Sequence, residues 1–242
     1  MFNSYETFVR WYLRFNGYFG IENFIIHEPV PGGIRQGGEF DILAVRFPSS
    51  REFAGFEVEN DVRLMQATIA TRGLTDFVIA EVGGGGRKEL NRIWHSPDPD
   101  GQLAHRLSYV VRWAGFFRDE ETILDVAGQL QTNHWCVRDN YCLRVILFGK
   151  DRLPTVTKLG ILQITFREIA EFIVTIRASC YASRGMGARS PHSQWDSMIK
   201  NIWDVADPRT TDDQEKKIEA ILKLIADSTP IAKGDDESVL VP

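Results

Sequence analysis

Glu39-Phe40-Asp41-Ile42-Leu43-Ala44-Val45-Arg46-Phe47 and Asp76-Phe77-Val78-Ile79-Ala80-Glu81-Val82 are the two stretches whose reading decides the fold. Both are short and apolar, with the branched and aromatic side chains that suit a pleated, buried surface. Pro48 stops the first, and four glycines, Gly83 to Gly86, stop the second. Each reads as a strand, and each holds one carboxylate inside its apolar run: Asp41 between Phe40 and Ile42, Glu81 between Ala80 and Val82. Alternate residues of a strand share a face, so Glu81 points the same way as Ile79 and Phe77. A carboxylate on such a face is costly unless it is paired or coordinated. Either one alone is ordinarily a salt bridge or a strand-end residue reaching water. The two together, in this order, point to a site.

Working outward, Tyr5, Phe8, Val9, Tyr12 and Leu13 recur at helical spacing, Asn3 or Ser4 supplies a cap, and Asn16-Gly17 is a stop. A short strand, Phe24 to Glu28, runs into the breakers Pro29-Val30-Pro31-Gly32-Gly33. Residues 57 to 73 suit a helix through Val62, Met65 and Ile69. Helices are expected over 102 to 117, 121 to 132, 194 to 206 and 213 to 227, with a strand at Leu143 to Phe148 and a strand end leading into a helix over 163 to 179. The acidic tail after Ser228 reads as frayed. The fold class is therefore α/β, a mixed central sheet flanked by helices with a helical C-terminal part. The organisation expected is an α/β core over 1–160, helices packed on it over 161–227 and a tail over 228–242.

The chain has 242 residues, 43% of them hydrophobic and 25% charged, with a formal net charge of −5. That is ordinary for one large globular domain and argues against a generally basic nucleic-acid coat, though not against a local basic groove. Three cysteines, Cys136, Cys142 and Cys180, give no disulfide framework and read as reduced thiols. His134 lies near two of them, but the spacing fits no common zinc finger. No segment reaches the roughly 18 consecutive apolar residues of a membrane span, and the first residues lack the pattern of a signal peptide. A cytoplasmic protein with no membrane partner is the expectation.

Hydrolysing a phosphodiester at neutral pH calls for a hard divalent cation that activates water and neutralises charge on the phosphate. Mg²⁺ takes one or two protein carboxylates and keeps several waters. Two carboxylates on adjacent strands, with a lysine beside them, make a minimal site. Here the residues resemble the PD-(D/E)XK, or restriction-endonuclease-like, nuclease superfamily. Strands 39–46 and 76–82 look like its two core strands, Asn16-Gly17-Tyr18-Phe19 and Leu90-Asn91 followed by Trp94 look like bacterial members, and Ser193-Gln194-Trp195-Asp196 at a helix start adds to the likeness. The resemblance covers about residues 5 to 205 and rests on the order of motifs. It implies a bacterial or phage-related endonuclease acting on DNA with Mg²⁺ or Mn²⁺ held by Asp41 and Glu81, and Glu6 on the first helix beside the metal. The ordinary alternative for Glu6 is an i,i+4 pair with Arg10.

The sequence departs from the pattern at one position: Gly83 stands where the motif has lysine. Two readings follow. Lys88 or Arg87, after the glycines, supplies the cation from a displaced position. Alternatively the chain is a degenerate nuclease that binds nucleic acid or a protein partner, or forms a homodimer. Arg35, Arg87 and Arg92 are the nucleic-acid-binding candidates. Arg46 lies near the same site, and Arg184 and Arg189 flank glycines close to Trp195, where loops grip phosphates and stack bases. The glycine run lacks both the P-loop and the dinucleotide spacing, and no Gly-x-Ser-x-Gly elbow occurs.

Overall fold

The computed structural model describes residues 4–51, 59–65, 73–84, 102–184, 195–210 and 213–228. The first helix, α1 (Ser4–Phe15), carries Glu6 in its first turn and Arg14 in its last, matching the helix dipole. It ends in a Schellman motif, with Gly17 N–H donating to Arg14 O and Tyr18 N–H to Leu13 O. Gly17 takes φ +82°, and a Cβ there would lie 2.6 Å from Ser50 O, so only glycine fits.

β1 (Phe19–Val30) and β2 (Gly33–Arg46) form an antiparallel hairpin closed at Pro31-Gly32. Both run well past the expected 24–28 and 39–47. Pro29 does not end β1 because β1 is the sheet edge, where a missing N–H breaks no ladder. β3 (Thr75–Gly83) lies antiparallel to β2 and parallel to β5 (Tyr141–Gly149). These two central strands are buried along almost their whole length, which explains their near-continuous apolar sequence. β4 (Trp135–Arg138) and β6 (Leu162–Thr165) share the far edge of β5, giving a six-stranded mixed sheet ordered β1-β2-β3-β5-β4 with β6 also on β5.

Helices cover both faces. α1 packs on one face with α5 (Phe166–Arg184), α6 (Ser197–Val205) and α7 (Gln214–Ser228), around Phe8, Tyr12, Ile42, Val78, Ala80 and Phe148. The other face holds α2 (Gln102–Ala114), α3 (Glu120–Asn133) and the single-turn α4 (Pro154–Lys158), around Phe40, Leu43, Phe77, Ile79, Leu107 and Val145. The N-terminal and C-terminal helices thus share one core. The α/β class expected from sequence is the observed one.

Three differences from the sequence reading have simple causes. α2 stops at Ala114 rather than 117, because Gly115 turns the chain at φ +73°. β4 and α4, too short for a periodic signal, were not expected. Of the helix expected over 57–73, the described part, 59–65, is extended chain and turn; Asp61 accepts N–H groups there and draws the backbone into a local turn. The remainder of that segment and the tail after 228 lie outside the described residues.

Candidate functional site at the end of the β2–β3 ladder

Asp41 and Glu81 come together. The β2–β3 ladder ends with Ile42 opposite Ala80, one residue short of Asp41 on β2 and of Glu81 on β3. Ile79 faces the α2–α3 side, so alternation gives Glu81 that face; at Asp41 the alternation breaks, since Phe40 and Leu43 both lie in that core while Ile42 lies in the other. Glu81 is buried at 7% exposure and Asp41 is half-buried. Two like charges brought close repel unless a cation or proton intervenes.

The ribbon turns over at this point. Asn23, between the pairs Glu22–Ile42 and Phe24–Phe40, takes a left-handed φ of +54°. Glu22 reaches α1, where Arg10 Nε donates to it at 2.9 Å, whereas Phe24, two residues on, packs at 4.6 Å against Trp113 of α2. Asp41 therefore sits where pleating is interrupted, and its Oδ2 accepts the Val82 N–H at 2.6 Å. The carboxylate takes the place of the backbone carbonyl with which a continued ladder would have met that N–H.

Other sequence candidates are placed elsewhere. Glu6 is half-buried on α1, which covers the opposite face. Among the described residues no three His, Cys, Asp or Glu side chains converge into a metal-binding group, so Glu6 does not join Asp41 and Glu81. Arg10 pairs with Glu22 and, at 3.6 Å, with Asp196. Arg46 is not a groove residue: it is 5% exposed, and its Nε donates to Asn16 O. Trp195 is no stacking platform. It is buried against Trp11, Phe15 and Trp203, beside Asp196, the N-cap of α6. Arg35 lies on β2 opposite Glu28. Lys88, Arg87, Arg92 and Arg189 lie outside the described residues.

A second cluster was missed. Asp76, at the start of β3, is fully buried and accepts from Arg144 Nε at 3.1 Å, Arg144 Nη2 at 2.8 Å and the Tyr18 hydroxyl. Arg144 Nη2 also donates to Leu64 O at 2.9 Å. Burial works against the charged arginine, but the charge of Asp76, its hydrogen bond and the neighbouring Tyr18 and Cys142 together outweigh it and hold the guanidinium's pKa above its ordinary value. Burial, then the charge of Asp76, raises the Tyr18 pKa and pushes the Cys142 thiol up to about 12. Asp76, Arg144 and Tyr18 bond one another within the chain, as in a structural network, although Arg144 Nη1 is buried without a partner. The sequence signal was Asp76 itself, a charged residue placed directly before the apolar run Phe77-Val78-Ile79-Ala80.

His134 and Cys136, the zinc hint, are also structural. His134 closes α3 at φ +62° with its N–H on Leu130 O, and the Cys136 thiol donates to Gln129 Oε1. No helix among the described residues is long and apolar enough to cross a membrane.

No family model, curated protein or solved structure matches this chain.

Proposed function

We propose that this chain is a metal-dependent nuclease-like protein that acts on DNA phosphodiesters through Asp41 and Glu81. The observation carrying the reading is that these two carboxylates lie on adjacent strands where the β2–β3 ladder ends, with Asp41 Oδ2 accepting the N–H of Val82, the residue after Glu81. The order of elements supports it: a helix, an antiparallel three-strand meander, then a helical crossover to a strand parallel to the third, as in the restriction-endonuclease-like plan.

The donors suit a hard cation. Two carboxylates with water completing the shell are what Mg²⁺ or Mn²⁺ takes, and a divalent ion between them removes their repulsion. The Val82 N–H, bonded to Asp41 Oδ2, fixes the rotamer in which Asp41 would meet the ion. When bound, the ion would lower the pKa of a coordinated water and offset charge on the phosphate.

The second reading, a degenerate nuclease serving as a nucleic-acid-binding or protein-interaction subunit, is favoured by Gly83, which offers no side chain at the motif's lysine position. A plasmid-nicking assay with Mg²⁺ and Mn²⁺ separates the two, run on the parent, Asp41→Asn and Glu81→Gln. The active reading expects metal-dependent nicking lost in both variants. Nicking by Asp41→Asn at the parental rate would overturn it. Nicking lost in Asp41→Asn but kept in Glu81→Gln would remove Glu81 from the site.

A further inference from the structure

Arg106 projects from α2 onto the backbone of β2. A Cβ on Gly38 would lie 2.7 Å from Arg106 Cζ, 2.9 Å from Nε and 3.1 Å from Nη1, so any side chain at 38 displaces the guanidinium. Gly38 takes φ +153° and pairs with Ile26 beside the β1–β2 register shift, so the strand is shaped to receive this group. Arg106 Nε is sealed from solvent without a hydrogen-bond partner, and no described residue forms an ion pair with its guanidinium. A cation held half-buried in this way loses hydration that no carboxylate among the described residues replaces, a cost that a bound anion would offset.

Its position indicates what is gained. Gly38 lies three residues before Asp41 on β2, about 10 Å away along the strand. Phe40, between them, packs into the same core as Leu103 and Leu107 of α2, on the face that alternation gives to Glu81. After Glu81, β3 carries only Val82 and Gly83, with Gly84 beyond its end. A guanidinium is a planar fork of donors that fits the oxygens of a phosphate.

We infer that Arg106 grips a backbone phosphate of the nucleic acid and supplies at this site the cation that Gly83 cannot; the identity of the ligand rests on the nuclease-like reading above. Gly38 is the matching specificity of the scaffold, the gap that lets the guanidinium reach the strand.

The test uses the full chain and a fluorescein-labelled DNA duplex, read by anisotropy in Ca²⁺ across a salt series, with nicking in Mg²⁺ and thermal unfolding measured in parallel. Arg106→Gln is expected to weaken binding by about tenfold or more and to reduce the salt slope by about one. Arg106→Lys, which keeps the charge, should recover part of the affinity, and Gly38→Ala should reproduce the loss by evicting the guanidinium. Unfolding distinguishes a ligand-holding arginine from a structural one: Arg106→Met should melt at the parental temperature or above it, because an unpaired cation has been removed. A variant that melts lower while binding DNA like the parent would overturn the assignment. A parent that binds and nicks DNA equally well with and without Arg106 overturns this inference alone. A parent that neither binds nor nicks DNA removes the nuclease-like reading and this inference with it.

Discussion

β3 carries two buried carboxylates at opposite ends, and the chain treats them differently. Asp76 is saturated: three donor groups from Arg144 and Tyr18 converge on it, bringing in β5 and the turn after α1. Glu81, five residues on and on the other face, lies where the β2–β3 ladder ends, next to Val82, whose N–H the carboxylate of Asp41 accepts. The first arrangement is complete within the protein. The second concentrates negative charge where the β2–β3 ladder ends, on the strand whose Gly38 receives Arg106, an arginine with no ion pair among the described residues. A buried charge met by its own chain holds the fold, whereas like charges brought together mark a place for something from outside.

The sharpest way to break the comparison is Arg144→Met, which leaves Asp76 buried and unpaired. A loss of about 3–5 kcal/mol is expected in urea unfolding, and a loss below about 1 kcal/mol would show that Asp76 is no more structural than Glu81. Conversely, Asp41→Asn and Glu81→Gln should lower nicking by about a hundredfold or more while the urea midpoint stays near the parental one, since the amide at 41 still accepts the Val82 N–H. If both lose stability without touching nicking, the two ends of β3 are alike.

Smaller effects refine the picture. Tyr18→Phe removes one donor to Asp76 but keeps Arg144, and should cost about 1–2 kcal/mol. It also changes the alkaline limb. Burial, followed by the charge of Asp76, raises the Tyr18 pKa above its ordinary 10.0 in the folded state. The folded protein therefore holds a proton that the unfolded chain releases, so this contribution is whole below pH 10 and declines as pH rises beyond it. Stability measured from pH 9 upward should fall less steeply in Tyr18→Phe than in the parent. The smallest effect belongs to Glu120→Gln: the Arg112–Glu120 pair has side chains 50% and 60% exposed, and its loss should stay within about 1 kcal/mol and shrink with salt.

The strands that carry the site were legible because their apolar runs are long relative to their interruptions, and Pro48 and Gly83 mark their ends. Asp41 and Glu81 stood out for the same reason, as charges inside those runs. Their register was not legible: a sequence shows two strands but not which residues face each other. Arg144 could not be assigned to Asp76, from which it is separated by 68 positions. Trp195 and Arg46 were misread because an aromatic or a cation near glycines looks the same in sequence whether it meets solvent or closes a core. The Arg106–Gly38 contact did leave a trace, Gly37-Gly38 in the middle of a strand, where a missing side chain signals a close approach.

The pairing of β3 with β5 has a kinetic consequence. Nine cross-strand partners, from Thr75–Tyr141 to Gly83–Gly149, form only after the intervening chain has closed into a long loop. α1, β1 and β2 assemble from near neighbours, but the centre of the sheet waits on a distant segment. Until β5 arrives, the apolar edge of β3 is exposed and prone to wrong partners. Asp76 at its head discourages them, because any strand that docks there without an arginine in register leaves a charge buried and unanswered.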